Sequence, residues 1–561
     1  MRLLFLPYKP ASDAASEASQ AGSKISHQKH AAREHHRKAK LAKQHLKPTQ
    51  RGSRGGVQSH AEYGGRFIEW KVQGDELEEA QLNANPTSSL GAGRLDPFDV
   101  YCASNQPLMV HEMLDHAISC QWTLFAPDNK PSSLNAVKQA VMNLAMDSPL
   151  LFHTLVFAGA THKAFHQAQT VNNRKSQVLR LTCKGKALQT LRRALSAPET
   201  MCSDDVIFSM LLLASHGSGE KVTAATYREK RILAAAQDAQ FYASMEYEWS
   251  HMRGLLDVLR VKGGLQEISV PGVAFAIASF DTHTAIMFQS KPTFPTLIPS
   301  ASVLKSWPSS DPTSLAFQRS PHLISGFKFL SYMEIPQARD LLNVLQGMRD
   351  IIVGFDSFQQ GDANAPNLKQ IIFARNLNQH ELISLDNLWI GISSPDSGTT
   401  SFTTTEPENS RDIVLYEISR ICAIVFQIVT LLPNLHSVQP VTMAYAVRLK
   451  DILISCKSSL RSCDGYMDHD LLLWAGILGA WLTQGMSMRI WFIEHLAREI
   501  IPLVAHGNLS ELYESPRKSW ELARSKVTSF LWLDSECDSP YREVWEEVEV
   551  WAVPDAQGVI C

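Results

Sequence analysis

From about residue 95 onward, apolar residues recur three and four positions apart through most of the chain, and the strict alternation of a half-buried strand is rare. This period predicts an all-α protein. From Ile413, the residues Tyr416, Ile421, Ile424, Val425, Ile428 and Leu432 fall mostly on one helical face, and Pro433 ends the run. Ser203, Asp204 and Asp205 predict a helix start ahead of Val206, because carboxylates favour the positive end of the helix dipole. Gly263 and Gly264 predict a stop after a helical run, glycine being the residue that turns left-handed at little cost. Proline, serine and threonine crowd into 295–314 and 395–410, which are expected to be mobile loops. No repeat of fixed period appears, and stacked antiparallel helices are the natural way to bury so many apolar faces.

The pattern is different before Leu95. Residues 11–23 are mostly Ala, Ser and Gly, a Gly, Ser and Gln linker follows Arg51, and 73–93 is polar again. Such composition buries too little to fold, so 1–94 is expected to be a disordered N-terminal region and 95–561 the helical body. Within it, Ser26 is placed to cap a helix that Pro48 stops, although its alanines and two leucines offer little to a core. Leu471 to Thr483 and Ile421 to Leu432 are the most apolar runs. Both are shorter than the roughly 20 residues a bilayer requires, so they are expected to be core helices of a soluble protein.

Charge sharpens the division. Between Lys24 and Arg54 lie ten basic residues and one acid, Glu34, which leaves 43 basic against 55 acidic residues elsewhere, a net −12 outside this arm. A polyanion is drawn to the arm and repelled on average by the body. Arg33, Arg37, Lys38, Lys40, Lys43 and Lys47 have the dense positive charge that a nuclear import receptor reads. On a helix Arg33, Arg37 and Lys40 form one stripe that suits a phosphate backbone, with little base specificity.

Residues that carry chemistry are sparse. The nine cysteines are scattered, with Cys456 and Cys463 the nearest pair, a pattern of reduced thiols rather than a disulfide framework. His162 and His166 lie four apart on a predicted helix and could face one metal, with His153 nearby. Without a cysteine or carboxylate at fitting spacing they are read as ordinary packing or surface histidines, and no metal ligand is assigned. His111 and His116, five apart, miss the HExxH pattern. No dinucleotide, phosphate-loop or nucleophile-elbow motif is present, so no catalytic residue and no cofactor is assigned. Trp474, Trp481, Trp491 and Trp532 are expected in the core.

Several stretches, taken in order, resemble a known family: LDPFDVY from Leu95, HEMLDH from His111, HMRGLLDVLRVKGGLQEI from His251, then Asp281, Ala285 and KPTFP from Lys291. LLLWAGILGAW, RIWFIEHL and FLWLDSECDSPYREVWEEV continue the likeness towards residue 550. Together they are similar to the fungus-specific transcription factor domain, the regulatory region of many zinc binuclear cluster proteins. The resemblance implies an all-helical fold, nuclear residence, regulation of transcription and the possibility of a homodimer. It extends to the arm, since many of these proteins begin with a short His- and Arg-rich segment and lack the zinc cluster. No CxxC occurs here, so the cluster that usually reads DNA is absent from the sequence. The expected partners are an import receptor, DNA through the arm and other transcription proteins, and no membrane. A nuclear adaptor that never touches DNA is the rival reading, and a helical enzyme with an unrecognised site a third.

Overall fold

The computed structural model describes residues 106–126, 128–166, 174–219, 222, 231–304, 307, 320–389, 407–432, 439–460, 466–504 and 516–552. The boundary at Leu95, the helix from Ser26 and the whole basic arm lie outside the described residues. Within them the chain is all-α, with no strand.

The N-terminal part is built around Pro149–His166, whose sequence is apolar on every side, and 15 of its 18 residues are buried. A helix hydrophobic all round must be enclosed by others. Here Leu108–His116, Arg174–Leu195 and Asp204–Ser215 pack against it, and Trp249–Lys262 lies on the last of these. Gly159 sets the closest approach: a Cβ there would stand 2.2 Å from the Met113 carbonyl oxygen, so only hydrogen fits between the two helices. The helix start at Ser203 and the stop at Gly263 follow the sequence reading. Gly263 has φ 107°, and the N–H groups of Gly263 and Gly264 both donate to the Leu259 carbonyl, at 3.1 and 2.9 Å.

The C-terminal part packs Pro407–Phe426 against Gln439–Leu460 and Tyr466–Leu482, with Asp534–Ala552 and Pro516–Val527 closing over the last of these. Two readings need correction here. The helix expected to bury one face from Ile413 is buried on all sides, because Val414, Leu415, Ile418, Cys422 and Ala423 are enclosed as fully as the predicted face. It also begins earlier than the run from Ile421, and Arg411–Leu431 is long and apolar enough to cross a membrane. Its apolar window is 94% buried among neighbouring helices, as a core helix requires. Of the two predicted loops, Ser300–Val303 forms a helical turn in the first, and the helix from Pro407 takes in the end of the second. Trp474, Trp481 and Trp532 are buried as expected, and Trp491 packs at the core's edge.

A charge is carried into this core. Glu417 is fully buried. It accepts Arg420 Nε and Nη2 at 3.2 and 2.9 Å and the Leu388 backbone N–H at 2.6 Å, and Arg448 stands 3.6 Å away. The carboxylate therefore ties its own helix to the segment after Leu368–Ser384 and to Gln439–Leu460.

Asp281 explains why its stretch and KPTFP occur together. From the buried Val273–Met287 helix, one carboxylate oxygen accepts the backbone N–H groups of Thr293 and Phe294, at 2.7 and 3.0 Å. His380 Nε2 meets the Phe294 carbonyl at 2.7 Å, pinning the same loop to Leu368–Ser384. Burial raises the Asp281 pKa against the pull of these N–H donors. The motif is a brace.

Candidate functional site

Two adjoining features stand out, a cavity and a histidine cluster, and the short segment Ala236–Ser244 belongs to both. The cavity, about 140 Å³, lies where the two main hydrophobic clusters meet. Its walls are mostly apolar, with Trp122, Leu212 and Phe280 on one side. A few polar groups converge on it, which is the ordinary composition of a small-molecule site.

Arg375 is the most telling of them. Its side chain is 2% exposed. Among the described residues its guanidinium bonds the carbonyls of Leu431 and Leu233, at 3.0 and 3.4 Å, and the side-chain oxygen of Asn376, with no carboxylate. Burial lowers its pKa to about 10. The Leu431 carbonyl ends a π-helical turn, Gln427–Leu431, and like the last carbonyls of any helix it has no partner within it. Two further groups on the wall, Ser279 Oγ and Gln379 Nε2, have no hydrogen-bond partner among the described residues. A ligand with an acceptor group and an apolar body would satisfy this constellation, since a buried donor left unmatched costs about 1–3 kcal/mol.

The histidine cluster lies at the end of Pro149–His166. Four residues apart, His162 and His166 project from one face. Each ring presents Nε2 to the same oxygen of Asp238; the His166 distance is 2.7 Å. Asp238 is held at φ 56°, ψ 33°, a left-handed conformation uncommon for any residue but glycine, asparagine or aspartate. Burial opposes its charge, yet the two imidazoles outweigh burial and hold the carboxyl well below its usual range. On the other side, His116 Nε2 meets His162 Nδ1 at 2.8 Å. Burial first, then His162, lowers the His116 pKa to about 3.

An aromatic layer joins cluster to cavity. Phe241, fully buried, stacks edge-on to His162 and against His216, and Tyr242 beside it lines the cavity. The Gln121 amide bridges Tyr242 Oη, at 3.2 Å, and His216 Nε2.

The sequence reading kept His162 and His166 as a pair lacking a carboxylate. The structure supplies one from Asp238, 72 residues past His166, and the His116 that failed the protease pattern supports the pair from behind. Spacing could not find a partner so far along the chain. The basic residues assigned to import or backbone contact, Arg33, Arg37, Lys38, Lys40, Lys43 and Lys47, lie outside the described residues.

Residues 119–316 match the family model of the fungal specific transcription factor domain. The matched span holds His162, His166, Asp238, the Asp281 brace and one wall of the cavity. The stretches from Leu95 and His111, and those beyond residue 316, lie outside it. No curated protein and no solved structure matches the chain.

Proposed function

We propose that the protein acts in the nucleus as a regulator of transcription, with a basic arm for entry and DNA-backbone contact and a helical body as its regulatory part, and that it is not an enzyme. The match of residues 119–316 to the fungal specific transcription factor domain carries this reading. The charge division supports it: an arm with ten bases and one acid beside a body of net −12 directs a polyanion, or the acidic groove of an import receptor, to the arm. The body contacts other transcription proteins. Its cavity accepts a small ligand whose acceptor group meets Arg375 and Gln379.

The arm is tested in the full chain by changing Arg33, Arg37, Lys38, Lys40, Lys43 and Lys47 together to glutamine. The variant is expected to lose nuclear accumulation under the microscope. In titrations on duplex DNA, the dependence of log affinity on log salt is expected to flatten by about 0.9 for each phosphate contact removed. An unchanged nuclear fraction and an unchanged salt slope would contradict the role given to the arm. A folded variant that still enters the nucleus but no longer binds DNA would confine the arm to DNA contact.

A further inference from the structure

We infer that His162, His166 and Asp238 form a binding site for one divalent transition-metal ion, zinc or a close relative, with His116 as its outer support. The inference does not depend on the regulatory reading above.

The three ligating atoms, an Nε2 from each imidazole and one carboxylate oxygen, lie within 4.8 Å of one another. Two imidazoles and a carboxylate are a donor set that suits zinc and its neighbours rather than calcium or magnesium, which prefer oxygen alone. Three protein ligands leave a further position open to water or another donor. The pair on the helix is spaced i, i+4, which places both rings on one side of a single rigid element. His162 is buried, at 5% exposed, while His166 and Asp238 are partly exposed, so an ion and its remaining water can reach the site.

Two features of the surroundings are not needed by a simple hydrogen-bonded knot. Asp238 aims its carboxylate from a left-handed backbone conformation, a type of local strain that concentrates at ligand sites. His162 is gripped through its other nitrogen by His116, and metal-bound histidines almost always have such an outer partner, which fixes ring and tautomer. The proton accounting is consistent. With protons on both Nε2 atoms, the two rings donate to Asp238 and His116 Nε2 donates to His162 Nδ1. With a cation among the three ligands, the Nε2 lone pairs turn to the metal. His162 then carries its proton on Nδ1 and donates it to His116 Nε2, and His116 carries its own proton on Nδ1.

The location gives the ion a consequence. Asp238 stands between Ala236 and Ala239, both on the cavity wall, and Phe241 and Tyr242 follow within one turn. An ion at Asp238 therefore fixes a segment that lines the cavity.

The test uses the purified full chain, stripped with a chelator and dialysed. Cobalt(II) is titrated while its visible d–d bands are followed, and zinc is then added in competition. One equivalent of cobalt with the intensified bands of a low-symmetry, four- or five-coordinate site is expected, displaced by zinc. His166→Gln, at a partly exposed position, and Asp238→Asn should each weaken binding by at least about 100-fold, and His116→Asn by about 10-fold. Circular dichroism checks that each variant is folded; if Asp238→Asn is not, His166→Gln decides. The arm's own histidines, His27, His30, His35, His36 and His45, supply the control. Binding that survives in folded His166→Gln but vanishes when those five are changed to glutamine would place the cation on the arm and overturn the proposal. So would the absence of a stoichiometric site in the unmodified chain.

Discussion

Replacing Glu417 by alanine is expected to destabilise the protein by about 3–5 kcal/mol, the scale for removing one partner from a buried ion pair. The loss would not come from the pair's own attraction. It would come from Arg420, which is 4% exposed and would keep its charge in the core with its carboxylate gone, and from the Leu388 N–H, which would lose its acceptor. Glu417→Gln keeps the shape and an acceptor for Leu388, so it is expected to cost less than alanine. Replacing Glu417 and Arg420 together by residues of similar volume should cost less than Glu417→Ala alone, since neither charge then remains. Urea midpoints of the single and double variants measure this. If Glu417→Ala proves nearly neutral, the buried carboxylate does not tie these helices together.

The second large effect is expected on acidification from pH 7 to pH 5. His216 is 1% exposed. Its Nδ1 faces the Leu212 carbonyl at 2.8 Å and its Nε2 the Gln121 amide. This arrangement suits a neutral ring that donates at Nδ1 and accepts at Nε2. Burial, against the pull of the Leu212 carbonyl, lowers its pKa from 6.5 to about 3. Burial likewise lowers His153 and His283 to about 4. Between about pH 6.5 and these lowered values the unfolded chain binds protons that the folded chain does not. Stability is therefore fully present above about 6.5 and is lost as the pH falls. His216 alone contributes about 1 kcal/mol per pH unit across that window. Asp281, raised by burial, pulls the other way. Midpoints measured at pH 7, 6 and 5 should fall steadily, and a His216→Gln variant should show a shallower fall. A midpoint that is flat or rises on acidification would contradict the neutral burial of these rings.

What the sequence made legible follows from how far apart the cooperating residues lie. Helix starts and stops are written within a few residues: acids at 204 and 205 begin one helix, and Gly263 ends another. The most apolar runs could be assigned to the core because no surface helix carries Leu471 to Trp481. Periodicity misjudged the helix from Ile413, since a pattern that favours one face does not say whether other helices will cover the rest. The cluster was half visible. His162 and His166 stood at metal-binding spacing, while Asp238 enters from a separate short segment and acquires its place only when that segment turns left-handed against the helix. The cavity left no trace in the sequence, because Trp122, Tyr242, Phe280 and Arg375 meet only through packing. The Asp281 brace left a sequence trace through the family resemblance, but its purpose emerged from two backbone N–H groups a dozen residues later.

The central claim is that the chain regulates transcription, and genome-wide chromatin occupancy of the tagged full-length protein tests it most directly. The account predicts enrichment at a limited set of promoters, either through the arm or through other transcription proteins. Uniform background across the genome, with the folded protein residing outside the nucleus, would contradict it.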